Sequence, residues 1–132
     1  MKGYGLVREV VQRTGYEGLH TTIVWVPVLE QDTLSAAIAQ AECLRLPRVM
    51  HLWDGDREVN PYFAESLALE GPGWDLYLVY RAGVRWERKL PPTPTFWMHQ
   101  LSLAVGASPT RYLKTHPHLL GRTIGALLST RT

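Results

Sequence analysis

The stretch Arg48-Val-Met-His-Leu-Trp-Asp-Gly-Asp-Arg-Glu58 decides the fold that we expect for this chain. Its first half is rich in residues with high strand propensity, and Asp54-Gly-Asp56 is a typical tight-turn sequence. The apolar periodicity from Val59 to Leu69 then predicts a helix, with Asn60 as its cap and Pro61 at its first position. The stretch therefore predicts a strand, an acidic turn and a helix in succession.

The flanking sequence continues this alternation of helices and strands. On the N-terminal side we predict a helix that includes Leu6 to Val11 and ends at Gly15, a strand at His20 to Val26, and a helix from Asp32 or Thr33 to about Leu44. On the C-terminal side we predict a hairpin of Trp74 to Tyr80 with Val84 to Glu87, a helix at Phe96 to Val105, and a helical tail that includes Leu119 to Leu128. This order favours an α/β sheet with an antiparallel edge.

Composition and charge limit the classes of function. The chain has 132 residues, of which 45% are hydrophobic and 20% charged, as expected for one globular domain. With no apolar run long enough for a membrane span and no signal-peptide core, we expect a cytoplasmic protein with no membrane partner. The segment Arg88 to Thr132 contains six Lys and Arg and no acid. Because these charges are dispersed and no nucleic-acid motif accompanies them, a nucleic-acid partner is not expected.

The single cysteine, Cys43, excludes an intrachain disulfide and a Cys-x-x-Cys pair. Its position near the end of the second predicted helix, on or beside the apolar stripe, favours a buried and inert thiol. Dithiol redox chemistry within one copy of this chain is therefore excluded.

Several phrases resemble a known family. They are Trp25-Val-Pro-Val-Leu29, His51-Leu-Trp-Asp54, Gly71-Pro-Gly-Trp-Asp-Leu-Tyr77 and Phe96-Trp-Met-His-Gln-Leu101. Together they are similar to uncharacterised bacterial proteins of the thioredoxin-like and peroxiredoxin-like family. The resemblance implies a thioredoxin-like domain at residues 1–101, followed by a basic, partly helical tail at 102–132. It also places Pro72 at the position of the family's cis-proline.

The chain departs from this family at its N-terminus. The family's domain begins with a strand that delivers Cys-x-x-Cys to the first long helix, whereas the resemblance implies that the residues of this chain begin within that helix. The resemblance thus implies a truncated thioredoxin-like sheet without its central strand. Each backbone group left buried and unpaired would cost about 1–3 kcal/mol. We therefore expect the gap to be filled, by direct pairing of the flanking strands, by the C-terminal segment or by strand exchange, and we predict a homodimer.

Histidines and carboxylates suggest where a metal could bind. His51, Asp54, Asp56 and His99 are residue types that bind Zn²⁺ or another divalent ion. A metal-bound water, with Asp54 or Asp56 as the catalytic base, would support hydrolysis. The simpler interpretation is that the side chains of Asp54 and Asp56 form hydrogen bonds with the backbone of their own turn. His99 would then pack in a core or an interface. His116 and His118 could bind a metal across a dimer axis or lie in a solvated loop.

Two hypotheses follow from the sequence. The first is a redox-inactive thioredoxin-like binding or structural domain with no certain cofactor. The second is a small metal-dependent hydrolase of activated esters or phosphoesters, using zinc or another divalent metal. The five tryptophans are typical of core packing, although strand aromatics could also line a pocket for a small apolar ligand.

Overall fold

A computed structural model describes residues 2–14, 18–69, 76–98 and 117–130 of the chain. The elements are α1 (Lys2–Thr14), β1 (Thr21–Trp25), α2 (Leu34–Glu42), β2 (Val49–Trp53), α3 (Val59–Ser66), β3 (Tyr77–Val79), β4 (Phe96–Met98) and α4 (Pro117–Ser129). The chain divides into two compact units, one of Glu17–Val59 and one of Met1–Tyr16 with Asn60–Thr132. The mixture of helices and strands is compatible with the predicted α/β class.

The unit Glu17–Val59 is a strand-helix-strand unit. β1 and β2 pair in parallel, in a register that runs from Thr21 opposite Val49 to Trp25 opposite Trp53. The ladder continues past the strand ends, where the Asp54 N–H donates to the Trp25 carbonyl at 2.9 Å. Because these two strands pair directly, no further strand lies between them.

α2 begins at a side-chain cap. The Thr33 hydroxyl accepts a hydrogen bond from the Ala36 N–H at 3.1 Å, which satisfies one of the unpaired donors of the first turn. The helix buries Ala37, and Leu44 beyond its end is only 1% exposed. However, Leu34 and Ile38, which belong to the apolar stripe predicted for this helix, are exposed. Only part of the stripe therefore faces the core.

Cys43 is exposed, which contradicts the predicted burial of its thiol. It lies at the C-cap of α2, where its Sγ is 3.6 Å from the Ala39 carbonyl oxygen. The chain leaves the helix here, and the next residue, Leu44, takes the buried position. The predicted apolar stripe could not distinguish these adjacent residues.

The predicted hairpin and the predicted helix after it are both wrong in their described parts. β3 pairs in antiparallel fashion with β4, with Leu78 opposite Trp97, and residues 84–87 are irregular. Trp97 and Met98 are buried in this pair. A short apolar run does not by itself distinguish a buried strand from a helix, and here the pairing with β3 decided the outcome. Residues 99–105 lie outside the described residues.

α3 ends in an ordered cap. The Leu69 N–H donates to the Ala64 carbonyl at 2.8 Å and the Ala68 N–H to the Glu65 carbonyl at 3.2 Å, the bond pattern of a Schellman motif. Ala68 accordingly has a φ of 55°, a left-handed conformation that favours glycine. The cap therefore contains a residue with intrinsic backbone strain.

α1 packs against α4 within the second unit. The two helices bury Val10, Leu120 and Ile124, which lie on the apolar stripes predicted from the sequence. The predicted helical tail is confirmed at Pro117–Ser129. Across the described residues, no helix has the length and apolar character needed to span a membrane.

Candidate functional site

His51 is held by hydrogen bonds at both of its ring nitrogens. The Trp25 Nε1–H donates to His51 Nδ1 at 3.1 Å, and His51 Nε2 lies 3.1 Å from the Leu44 carbonyl oxygen. The two rings lie side by side, with planes 18° apart and centroids 6.1 Å apart. His51 therefore joins β1, β2 and the end of α2.

These contacts fix the tautomer of His51. An indole N–H can only donate, so Nδ1 must be the acceptor, and the proton on Nε2 must point to the Leu44 carbonyl. A metal ion needs an unprotonated ring nitrogen with a free lone pair. Because Nδ1 accepts from Trp25 and Nε2 donates to Leu44, a metal could bind His51 only by displacing one of these bonds.

Asp54 forms the entry to α3. Its Oδ1 accepts a hydrogen bond from the Glu58 N–H at 3.0 Å, and its Oδ2 accepts one from the Val59 N–H at 2.9 Å. The helix begins at Val59, so Asp54, rather than the predicted Asn60, caps its first turn, and Pro61 is the third residue instead of the first. This geometry matches the turn interpretation of Asp54.

The turn itself is shaped by close packing. A Cβ atom on Gly55 would lie 2.7 Å from the Trp53 Nε1, so a larger residue would displace the indole. Arg57 completes the turn with a φ of 57° and donates its N–H to the Asp54 carbonyl at 3.2 Å. Asp56 is exposed at the tip. Asp54, Gly55 and Arg57 therefore each have a structural role in the turn.

A second carboxylate, Asp32, stabilises the loop after β1. Its Oδ2 accepts hydrogen bonds from the Leu29 N–H at 2.7 Å and the Val28 N–H at 3.0 Å. The Leu29 bond, and then the Val28 bond, hold the pKa of Asp32 below its ordinary value of 3.8. The sequence pattern predicted Asp32 only as a candidate helix cap, and no local signal indicated these bonds to the preceding loop.

The other predicted metal ligands fall outside these contacts. His99 and His116 lie outside the described residues, as does Pro72, and the side chain of His118 is likewise not described. Among the residues that the structure does describe, no group of three or more His, Cys, Asp or Glu side chains is placed to hold a metal ion. His51 and Asp54 thus have structural partners instead of a shared centre.

No family model, curated protein or solved structure matches the chain. The thioredoxin-like resemblance therefore remains a prediction from sequence phrases.

One face of the sheet in the Glu17–Val59 unit is exposed. Thr22 and Val24 of β1 lie opposite Met50 and Leu52 of β2, and these four residues are exposed. We call them the apolar sheet face. Met50 is 55% exposed and Leu52 46%, large fractions for apolar side chains on adjacent parallel strands.

The opposite face of the same sheet is better covered. Ile23, Trp25 and His51 are half-buried there, and His51 contacts the end of α2. Parallel sheets are normally covered on both faces, and their strands are accordingly apolar on both. The apolar character of β1 on both faces was visible in the sequence and could have predicted this second surface.

Proposed function

We propose that the chain is a redox-inactive α/β binding domain that associates with a second copy of itself through the apolar sheet face. The observation that carries the proposal is the exposure of Val24, Met50 and Leu52 on a parallel strand pair. Burial of their exposed parts would be worth about 1 kcal/mol for each side chain. The single cysteine, which excludes an intrachain dithiol, supports the redox-inactive part of the proposal.

A second copy is the partner that best suits this face. In a two-fold symmetric contact the same residues meet each other, so any charge on the face would oppose an identical charge. The apolar sheet face consists of Thr22, Val24, Met50 and Leu52 and carries no charge. Self-association therefore buries apolar area without burying a charge, and it agrees with the homodimer predicted from the sequence.

The metal-dependent hydrolase has weaker support. It needs a metal-bound water near a carboxylate base. His51 would have to break a hydrogen bond to bind a metal, and both oxygens of Asp54 already accept backbone N–H groups. Elemental analysis after purification without added metal tests this alternative. We expect no stoichiometric metal, and stoichiometric zinc that is lost in His51→Ala would favour the hydrolase instead.

Light scattering over a series of protein concentrations tests the association. We expect the mass to approach twice the chain mass of 15.0 kDa as concentration rises. Leu52→Glu places a charge on the apolar sheet face and should keep the protein monomeric.

The matched control is Leu46→Glu, because Leu46 is also exposed but lies in the loop before β2. This control should dimerise like the wild type. A wild-type protein that stays monomeric at all concentrations, or equal effects of the two substitutions, would contradict the proposal.

A further inference from the structure

Residues 81–90 form an exposed loop between β3 and β4, which we call the basic loop. The Thr95 N–H donates to the Val79 carbonyl at 2.8 Å, and the Tyr80 hydroxyl donates to the Pro92 carbonyl at 3.0 Å. Burial raises the pKa of the Tyr80 hydroxyl. Ser66 adds a bond from its hydroxyl to the Pro91 carbonyl at 2.9 Å. The loop is thus anchored at its base, as in compact surface loops that often have a function.

The basic loop concentrates positive charge. Its cations are Arg81, Arg85, Arg88 and Lys89, and its one acid is Glu87. All five side chains are exposed, and in the described part of the chain none of the four cations forms an ion pair. Cations without an acidic partner are available to bind an anion.

Trp86 adds an aromatic surface to the same loop. Its ring meets Phe63 at a centroid distance of 5.6 Å and Tyr62 at 6.4 Å, both edge to face. Both partners lie on α3 and hold the indole against the unit. Trp86 nevertheless remains 47% exposed and Tyr62 38%. We call these two residues the aromatic platform.

We propose that the basic loop and the aromatic platform bind single-stranded nucleic acid. Proteins that bind single strands combine cations for the phosphates with fixed aromatic rings on which bases stack. Three of the four cations are arginines, whose planar guanidinium groups suit phosphate oxygens and base faces. This surface lies in a different unit from the apolar sheet face and does not depend on the proposed dimer.

Two other anionic partners fit the loop less well. A membrane surface would take up apolar side chains that are able to insert beside the cations, whereas the basic loop exposes only Val84 among aliphatic side chains larger than alanine, and its Trp86 is held edge to face against Tyr62 and Phe63. An acidic peptide would use the cations but would leave the aromatic platform without a role. The platform is therefore the feature that selects nucleic acid.

This surface could not be inferred from the dispersed charge of Arg88 to Thr132. Arg81 and Arg85 lie before that segment, and the contact of Trp86 with Tyr62 and Phe63 joins residues more than twenty positions apart. Only the fold brings Trp86 of the basic loop against Tyr62 and Phe63 of α3.

Fluorescence anisotropy with a labelled oligothymidylate of about 12 nucleotides tests the proposal, since this length suits one small binding site. The second probe is an abasic strand with the same number of phosphates. We expect the 132-residue chain to bind oligothymidylate at about 20 mM salt, with log K falling against log salt at a slope of about −2 to −3 if four cations contact phosphates. We also expect the abasic strand to bind about tenfold more weakly because it cannot stack.

Variants assign the binding to this surface. Arg85→Glu should weaken both probes at least tenfold, whereas Arg122→Glu, an exposed cation on α4, is the matched control and should have little effect. Trp86→Leu should abolish the preference for oligothymidylate and leave binding of the abasic strand unchanged. Circular dichroism confirms that each variant is folded.

Three results would overturn the proposal. The first is no binding to oligothymidylate at low salt. The second is equal affinity for the two strands, which would indicate attraction by charge alone. The third is equal weakening by Arg85→Glu and Arg122→Glu. Vesicles that contain phosphatidylserine provide a further arm, and binding to them without binding to oligothymidylate would assign the loop to a membrane surface instead.

Discussion

The hydrogen bonds of His51 predict that Trp25 and His51 stabilise the fold as a pair. We consider a double-mutant cycle of Trp25→Phe, His51→Leu and the combined variant. Trp25→Phe removes the donor to Nδ1 and leaves His51 with an unpaired acceptor. His51→Leu removes both of the bonds that the imidazole makes, one to the Trp25 Nε1–H and one to the Leu44 carbonyl.

The magnitudes follow from these losses. A neutral hydrogen bond contributes about 0.5–1.5 kcal/mol, and a buried polar group left without a partner costs about 1–3 kcal/mol. Because both rings are only half-buried, water can replace part of each bond, and we use the lower part of these ranges. We expect Trp25→Phe to cost about 1 kcal/mol and His51→Leu about 2 kcal/mol, with a coupling free energy of about 1 kcal/mol.

Urea unfolding, followed by far-ultraviolet circular dichroism, measures the four free energies of unfolding. The combined variant should be less destabilised than the sum of the single variants, because the two substitutions remove the same bond. Additivity within about 0.3 kcal/mol would show that the two residues do not interact, and it would refute the structural role assigned to His51.

Four further predictions concern single residues. Asp54→Ala should lower the free energy of unfolding by about 1 kcal/mol, because the cap of α3 is lost, and Asp54→Asn should lower it less. Ala68→Gly should raise the same quantity by about 0.5–1 kcal/mol by relieving the left-handed residue, and no gain in urea unfolding would contradict the assigned cap. Since the folded state lowers the pKa of Asp32, its contribution is present at neutral pH and is lost as the pH falls below the ordinary value of 3.8, so Asp32→Asn should flatten the loss of stability in acid titrations. Cys43 should react stoichiometrically with Ellman's reagent in the native protein, whereas a thiol that reacts only in denaturant would be buried.

Local sequence patterns predicted the elements that depend mainly on their own residues. The periodicity of Leu120, Ile124 and their neighbours predicted α4, and the β-branched run at Thr21–Trp25 predicted β1. Thr33 was among the predicted caps of α2. In each case the physical cause, an apolar period or a capping side chain, lies within a few residues.

Long-range partners decided the rest. Phe96–Met98 is apolar enough for a helix or a strand, and its pairing with Tyr77–Val79 made it a strand. Trp86 was predicted to lie in a hairpin strand but packs on Phe63 instead. No local pattern encodes these choices.

Long-range partners also limited what could be predicted about the candidate site. Sequence placed His51, Asp54 and Asp56 close together but could not show that Trp25 donates to His51. The parallel pairing of β1 with β2 was the missing information, because it places the odd-numbered residues of both strands on one face. With that register, a histidine expected to bind a metal becomes a link between β1, β2 and the end of α2.

Methyl NMR with a soluble paramagnetic relaxation agent tests the proposed self-association most directly. As protein concentration rises, the methyl groups of Met50 and Leu52 should become protected from the agent, because a second copy covers the apolar sheet face. The methyl groups of Val84, exposed in the other unit, should remain accessible and provide the internal reference. Equal relaxation of Met50 and Val84 at every concentration would contradict the proposed binding surface.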